Sequence, residues 1–135
     1  MKILIINGPN LNLLGTREPD IYGSETMEAR LDLLKKEFAN DEILFYQSNI
    51  EGEIINRLQD DDFDALVINP GAFTHYSFAI ADCLKNISNP KIEVHISNIY
   101  KREEFRKKSV TAEQCDAVLS GFGLKGYQLA IQSLK

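Results

Sequence analysis

The sequence predicts an α/β fold in which a five-stranded parallel sheet carries helices on both faces. Two observations predict it. Five short apolar runs alternate with helical stripes along the 135 residues, and the connections after the first are short. Parallel neighbours need crossover connections, so such alternation favours a parallel sheet over hairpins.

Taken in order, Lys2 to Ile6 (KILII) is a continuous apolar run, the mark of a strand buried on both faces. Ser24 is the expected N-cap of the first helix, with Glu25 in its first turn. Met27, Leu31, Leu34 and Phe38 then form one apolar stripe that ends near Asn40. Ile43 to Gln47 is the second strand. Ser48 and Glu51 have capping-box spacing, and Ile50, Ile54, Ile55 and Leu58 supply the next stripe. Ala65 to Ile68 is the third strand, closed by Asn69-Pro70-Gly71. A helix follows near Ser77, with Phe78, Ala81, Cys83 and Leu84 mostly inward. Ile92 to Ile96 is the fourth strand, and KREEFRKK after it forms a short helix or turn. Ala117 to Ser120 is the fifth. Gly121 and Gly123 open a last helix carrying Leu124, Tyr127, Ile131 and Leu134. The expected strand order is 2-1-3-4-5, that of a flavodoxin-like three-layer sandwich, in one domain spanning residues 1–135.

Composition narrows the function classes. A net charge of −5 argues against nucleic acid as the main partner, since a duplex binder normally shows a basic face. No apolar run approaches a membrane span, and MKILIINGPN is too soon interrupted for a signal peptide. Cys83 and Cys115 read as reduced core residues, which fits a cytoplasmic protein. Neither a disulfide nor a metal site has supporting spacing.

Residues 7 to 23, NGPNLNLLGTREPDIYG, form a long loop with no regular period, more often a working loop or lid than a plain connector. In sheets of this kind ligands bind beyond the carboxyl ends of the strands. Strand 1 ends in Asn7 to Asn10, strand 3 in Asn69 to His75, and strand 4 contains His95 and Ser97, so both histidines fall on that edge. Glu93 and His95 are two apart and share a face. The carboxylate can hold the imidazole, fix its tautomer and raise its pKa, as suits a general acid; a histidine merely satisfied at a strand end has the same spacing. His75 lies just before a helix N-terminus, where the amides and the dipole favour a neutral imidazole or a bound anion; a loop histidine is otherwise structural or merely exposed. The two histidines lack a third ligand at metal spacing.

Tyr22 lies five residues after Arg17. It either packs on the helix entrance or works as a tyrosinate. With a pKa near 10, about 0.1% of a phenol is ionised at neutral pH, and full ionisation needs about 4 kcal/mol. One arginine at about 5 Å contributes roughly 3 kcal/mol at an effective dielectric of about 20. Arg17 with a second cation such as Arg106 is therefore sufficient. Most of KREEFRKK is a solvated face, though Arg102 or Arg106 at its inner edge could grip a carboxylate. GFGLKG lacks the dinucleotide fingerprint.

Together NGPNLNLLGTREPDIYG, NPGAFTH, EVHISN and REEFR, in this order, resemble the type II 3-dehydroquinate dehydratases, and GFGLKGYQLA carries the likeness to the end of the chain. The resemblance implies trans elimination of water from 3-dehydroquinate to 3-dehydroshikimate through an enolate, in the shikimate pathway, with no cofactor, metal or Schiff base. It also implies a homododecamer built as a tetramer of trimers. Carried over, Tyr22 is the base at C2, Arg17 keeps it ionised, and Asn10 holds a water that stabilises the enolate. His95, oriented by Glu93, is the acid for the C1 hydroxyl. Asn69 and His75 bind ring hydroxyls, Gly71 is a further substrate-binding residue, Ile96 and Ser97 hold the carboxylate, Arg106 grips a hydroxyl, and Asp82 reaches in from a neighbouring subunit. Two positions depart from the family pattern: Ala81 stands where a basic residue is common, and Tyr76 where a small Thr is usual. A catalytically inactive binding module on the same fold is the alternative. A receiver module would need acidic residues where this chain has NGPN and NPGA, and a flavin module would need a Ser/Thr-rich phosphate loop.

Overall fold

The computed structural model describes residues 1–16, 20 and 24–135. Its sheet is formed by β1 (Lys2–Asn7), β2 (Glu42–Gln47), β3 (Ala65–Asn69), β4 (Lys91–His95) and β5 (Ala117–Ser120), all parallel, in the order β2-β1-β3-β4-β5. Among the described residues the helices that flank the sheet are α1 (Met27–Glu37), α2 (Glu51–Gln59), α3 (Phe78–Lys85) and α4 (Lys125–Ser133). Strand alternation sorts the core into two layers. Ile3 and Ile5 face Met27, Leu31 and Leu34 of α1 and Tyr127, Ala130 and Ile131 of α4. Leu4, Ile6, Leu66 and Ile68 face Ile54 and Leu58 of α2 and Ile80 and Leu84 of α3. Each fully buried Ile or Leu contributes roughly 1.5–3 kcal/mol relative to exposure, so the central strands anchor the fold. Among the described residues no helix is long and apolar enough to cross a membrane.

The predicted strand order is the observed one, and several local expectations are corrected. Thr26, not Ser24, caps α1: its Oγ1 accepts from the Ala29 amide at 3.1 Å. Ser48 and Glu51 form no capping box. Ile50 occupies the N-cap of α2 without a side-chain bond, so it is exposed rather than part of the stripe. Ser48 Oγ instead accepts from the Ile50 amide at 2.9 Å and donates to Glu53, while Glu51 accepts from Ser77 Oγ at 2.6 Å. Phe78, expected inward, begins α3 on its outer side and is 66% exposed. Cys83 is buried, whereas Cys115, expected in the core, is only partly so, because it precedes the edge strand β5 whose side chains are exposed or half-buried. The β4–β5 crossover is made of 3-10 turns, Ile99–Lys101, Glu104–Lys107 and Ala112–Gln114, with no α-helix. A strap, residues 108–111, returns through it toward the sheet.

Candidate active site

The site begins where two turns interlock. Asn7 and Asn69 are register partners at the carboxyl ends of β1 and β3, and the chain turns after each. The Gly8 amide donates to the Asn69 carbonyl at 2.8 Å. A Cβ on Gly8 would lie 2.2 Å from the Pro70 carbonyl oxygen, so only glycine permits this approach. Gly71, at φ +61°, answers from the other side against Pro9, in a backbone region that favours glycine. Asn10 is also left-handed, at φ 68°, and its amide donates to Asn49 Oδ1 at 3.0 Å. Asparagine tolerates that conformation better than most residues. The NGPN and NPGA turns are thus one rigid rim.

Beyond this rim lies a cleft of about 170 Å³. Asn10 lines it from β1, Asn69, Gly71 and His75 from β3, His95, Ile96 and Ser97 from β4, and Arg102 and Arg106 from the 3-10 turns. It continues into a wider depression of about 600 Å³ that shares Ile96, Ser97 and Arg102 and reaches Asp20, Ser24 and Glu25. Eight of the twelve residues expected at the site therefore share one cleft. Glu93 stands behind it, fully buried. Asp82 does not line the cleft and lies exposed on α3. Arg17 and Tyr22 lie outside the described residues.

His95 and Glu93 form the buried pair that their spacing predicts. His95 Nε2 lies 2.8 Å from Glu93 Oε2. Glu93 also accepts from Ser109 Oγ at 2.9 Å and from Thr111 Oγ1. Burial pushes its pKa up, but the bonds from His95, Thr111 and Ser109 and the nearby imidazole outweigh burial, and its carboxyl stays below the ordinary 4.5. The fixed negative charge engages Nε2 and leaves Nδ1 as the ring nitrogen for the cleft.

His75 is held differently. Its Nδ1 lies 2.7 Å from the Lys108 carbonyl, which can only accept, so Nδ1 carries a hydrogen. Burial lowers its pKa against the pull of that carbonyl, and His95, Arg106 and Arg102 add repulsion. His75 is therefore a neutral imidazole with Nε2 as acceptor, as a hydroxyl ligand requires. Ser97 Oγ accepts from Arg102 Nη1 at 3.3 Å. Arg106 pairs with Glu103 at 3.0 Å and stacks on Phe105, 4.7 Å from its ring centre. Guanidinium groups beside a hydroxyl make this end of the cleft suited to an anion.

Sequence reasoning missed the polar support beneath the cleft. The Tyr127 hydroxyl donates to Asn7 Oδ1 at 2.6 Å and accepts from Asn69 Nδ2 at 3.0 Å, while Asn69 Oδ1 accepts from the Gly71 amide at 3.1 Å. Burial raises the phenol pKa despite these two amides, so Tyr127 stays neutral and donates. Asn7 Nδ2 is buried without a partner among the described residues. Ser109 and Thr111, spaced by two, carried the only sequence signal of the second support.

The comparisons with known proteins agree with the fold. The family model described as dehydroquinase class II matches residues 1–135. The chain is 56% identical over 140 residues to the 3-dehydroquinate dehydratase of Caldicellulosiruptor saccharolyticus, covering 99% of this chain and 96% of the relative. It is 53% identical over 137 residues to that of Thermotoga maritima, covering 100% and 95%. The crystal structure of type II dehydroquinase from Butyrivibrio crossotus aligns with a TM-score of 0.96 at 52% identity, over 99% of this chain and 97% of that one. The one from Propionibacterium acnes gives 0.93 at 42% identity, over 98% and 94%. The chain belongs to the class II dehydroquinase family.

Proposed function

We propose that the chain, as one catalytic domain, dehydrates 3-dehydroquinate to 3-dehydroshikimate by trans elimination through an enolate, as a step of aromatic amino acid biosynthesis. The observation that carries this reading is His95 on the cleft wall, paired with the buried Glu93 behind it. Loss of a hydroxyl from C1 needs a proton donor, and a His95 protonated on Nδ1, with Nε2 balanced by the carboxylate, is one. Tyr22, ionised beside Arg17, takes the C2 proton. The enolate needs hydrogen-bond donors, and Asn10 at the rim supplies them through a bound water. Neutral His75 accepts from a ring hydroxyl through Nε2, and Asn69 and Gly71 hold the same side. The backbone of Ile96 and the Ser97 hydroxyl take the substrate carboxylate, and Arg106 grips a further hydroxyl.

The proposal includes a cytoplasmic homododecamer built as a tetramer of trimers, with Asp82 completing the site of a neighbouring subunit. The family resemblance supports this assembly. So does the outer side of α3, where Phe78, 66% exposed, and Asp82 lie one helical turn apart, with Tyr76, 58% exposed, just before the helix. Such large exposed aromatics fit a subunit contact.

The test is growth of the conjugated-enone absorbance when purified protein meets 3-dehydroquinate, with and without pretreatment by borohydride in the presence of 3-dehydroquinate. Activity that survives borohydride is expected. Activity lost to borohydride implicates a lysine imine and overturns the tyrosinate mechanism; a folded but inactive protein overturns the function.

A further inference from the structure

The support behind His95 has a direction that donor and acceptor counting reveals. Glu93 lies between Ile68 of β3 and Val118 of β5 in the sheet register and has no solvent exposure. Thr111 Oγ1 donates to its Oε1; Ser109 Oγ, at 2.9 Å, and His95 Nε2, at 2.8 Å, meet its Oε2. A hydroxyl has one hydrogen, so both hydroxyls spend theirs on the carboxylate. Thr74 Oγ1, 2.7 Å from Ser109 Oγ and 2.6 Å from Thr111 Oγ1, then donates into one of them. The Ala112 amide also donates to Ser109 Oγ, at 3.0 Å. Every hydrogen in the cluster runs toward Glu93.

The same strap reaches His75. The Val110 amide donates to the Thr74 carbonyl at 2.8 Å, and the Lys108 carbonyl takes the Nδ1 hydrogen of His75 at 2.7 Å. Four consecutive residues thus touch the supports of both histidines.

We propose that Ser109 and Thr111 are positioning residues that clamp Glu93 in one orientation as a pure acceptor and thereby hold the Nε2–H of His95 on the carboxylate, so that a second proton taken up on Nδ1, making the imidazolium, is the one given to the leaving hydroxyl. This rests on the reading of His95 as the leaving-group acid. Without the two hydroxyls the carboxylate is free to rotate or to take up a proton, and either change releases the imidazole. Networks of this kind fail as units when one donor is removed.

The test pairs turnover of 3-dehydroquinate with nitrogen-15 NMR of the histidine side chains in the substrate-free protein. Thr111→Val keeps the shape and removes the donor. It is expected to lower kcat about 10- to 100-fold with KM nearly unchanged, within the roughly 10²–10⁴ that a general acid supplies. Thr111→Ser should restore most of kcat. In the NMR experiment wild-type His95 should show a protonated Nε2, and Thr111→Val should shift it toward a mixture of tautomers. Should Thr111→Val fail to fold, Ser109→Ala, on the half-buried side of the strap, serves the same comparison. A folded variant with wild-type kcat and an unaltered tautomer overturns the clamp, as does a wild-type His95 protonated on Nδ1 alone. The NMR arm needs no turnover, so a wild-type protein inactive on 3-dehydroquinate would defeat the functional reading while the clamp is still judged.

Discussion

Gly8→Ala should uncouple the two turns that frame the cleft while leaving the sheet in place. The new methyl would sit 2.2 Å from the Pro70 carbonyl oxygen and 2.6 Å from its carbon, where ordinary contact begins at 3.4 Å. The shortfall from oxygen is 1.2 Å, and both partners are backbone. The turns must therefore separate by about 1 Å, which breaks the 2.8 Å bond from the Gly8 amide to the Asn69 carbonyl. That bond is worth about 1 kcal/mol net, and overpacking adds about 1–3 kcal/mol. The expected loss of stability is about 2–4 kcal/mol, roughly 10 °C in Tm for a chain of this size. A displacement of about 1 Å between groups on opposite sides of a site costs about 100-fold in rate. Asn10 and Asn69 are such groups. Steady-state assays of the enone product, with thermal melts by circular dichroism, read both quantities. A folded Gly8→Ala protein within twofold of wild-type kcat/KM would refute the claim that this contact sets the site.

Three further outcomes follow from the buried groups. Tyr127→Phe should cost about 1–3 kcal/mol, because Asn7 Oδ1 and Asn69 Nδ2 lose a buried partner; urea denaturation checks this, and an unchanged midpoint would count against the network. Glu93 has a folded pKa below its unfolded 4.5, so its ionised form stabilises the fold fully above 4.5 and the contribution disappears as pH falls through the folded value. Glu93→Gln should therefore flatten the acid side of the stability profile, and parallel profiles for the two proteins would contradict the assignment. His95→Ala should slow dehydration more than exchange of the C2 proton with solvent; equal losses would remove His95 from the leaving-group step.

Much of this architecture can be read from the chain because the decisive patterns are local. Ile3 to Ile6 and ALVI are buried on both faces and need no partner to be recognised, and the alternation of strands with stripes implies the parallel order. The turns NGPN and NPGA, both histidines and Glu93 fall on one edge by strand arithmetic alone. What escapes sequence reasoning depends on distant partners. Ser24 is the better cap by residue type, and only the position where α1 actually begins puts Thr26 in that role. Ser109 and Thr111 follow a charged run and look like solvated surface until the strap folds over Glu93, 16 and 18 residues away in sequence. Tyr127 reads as one more apolar helix position, yet its hydroxyl reaches Asn7, 120 residues earlier. Phe78 looks like core because an apolar helix stripe does not tell a buried apolar side chain from an exposed one.

The central claim is an anti elimination in which a base on one side of C2 and the His95 acid on the other share the work. The most direct measurement uses 3-dehydroquinate carrying deuterium only at the C2 position anti to the C1 hydroxyl. Mass spectrometry of the 3-dehydroshikimate formed should show the deuterium lost to solvent. Retention of the deuterium in the product would mean syn elimination and would contradict the mechanism.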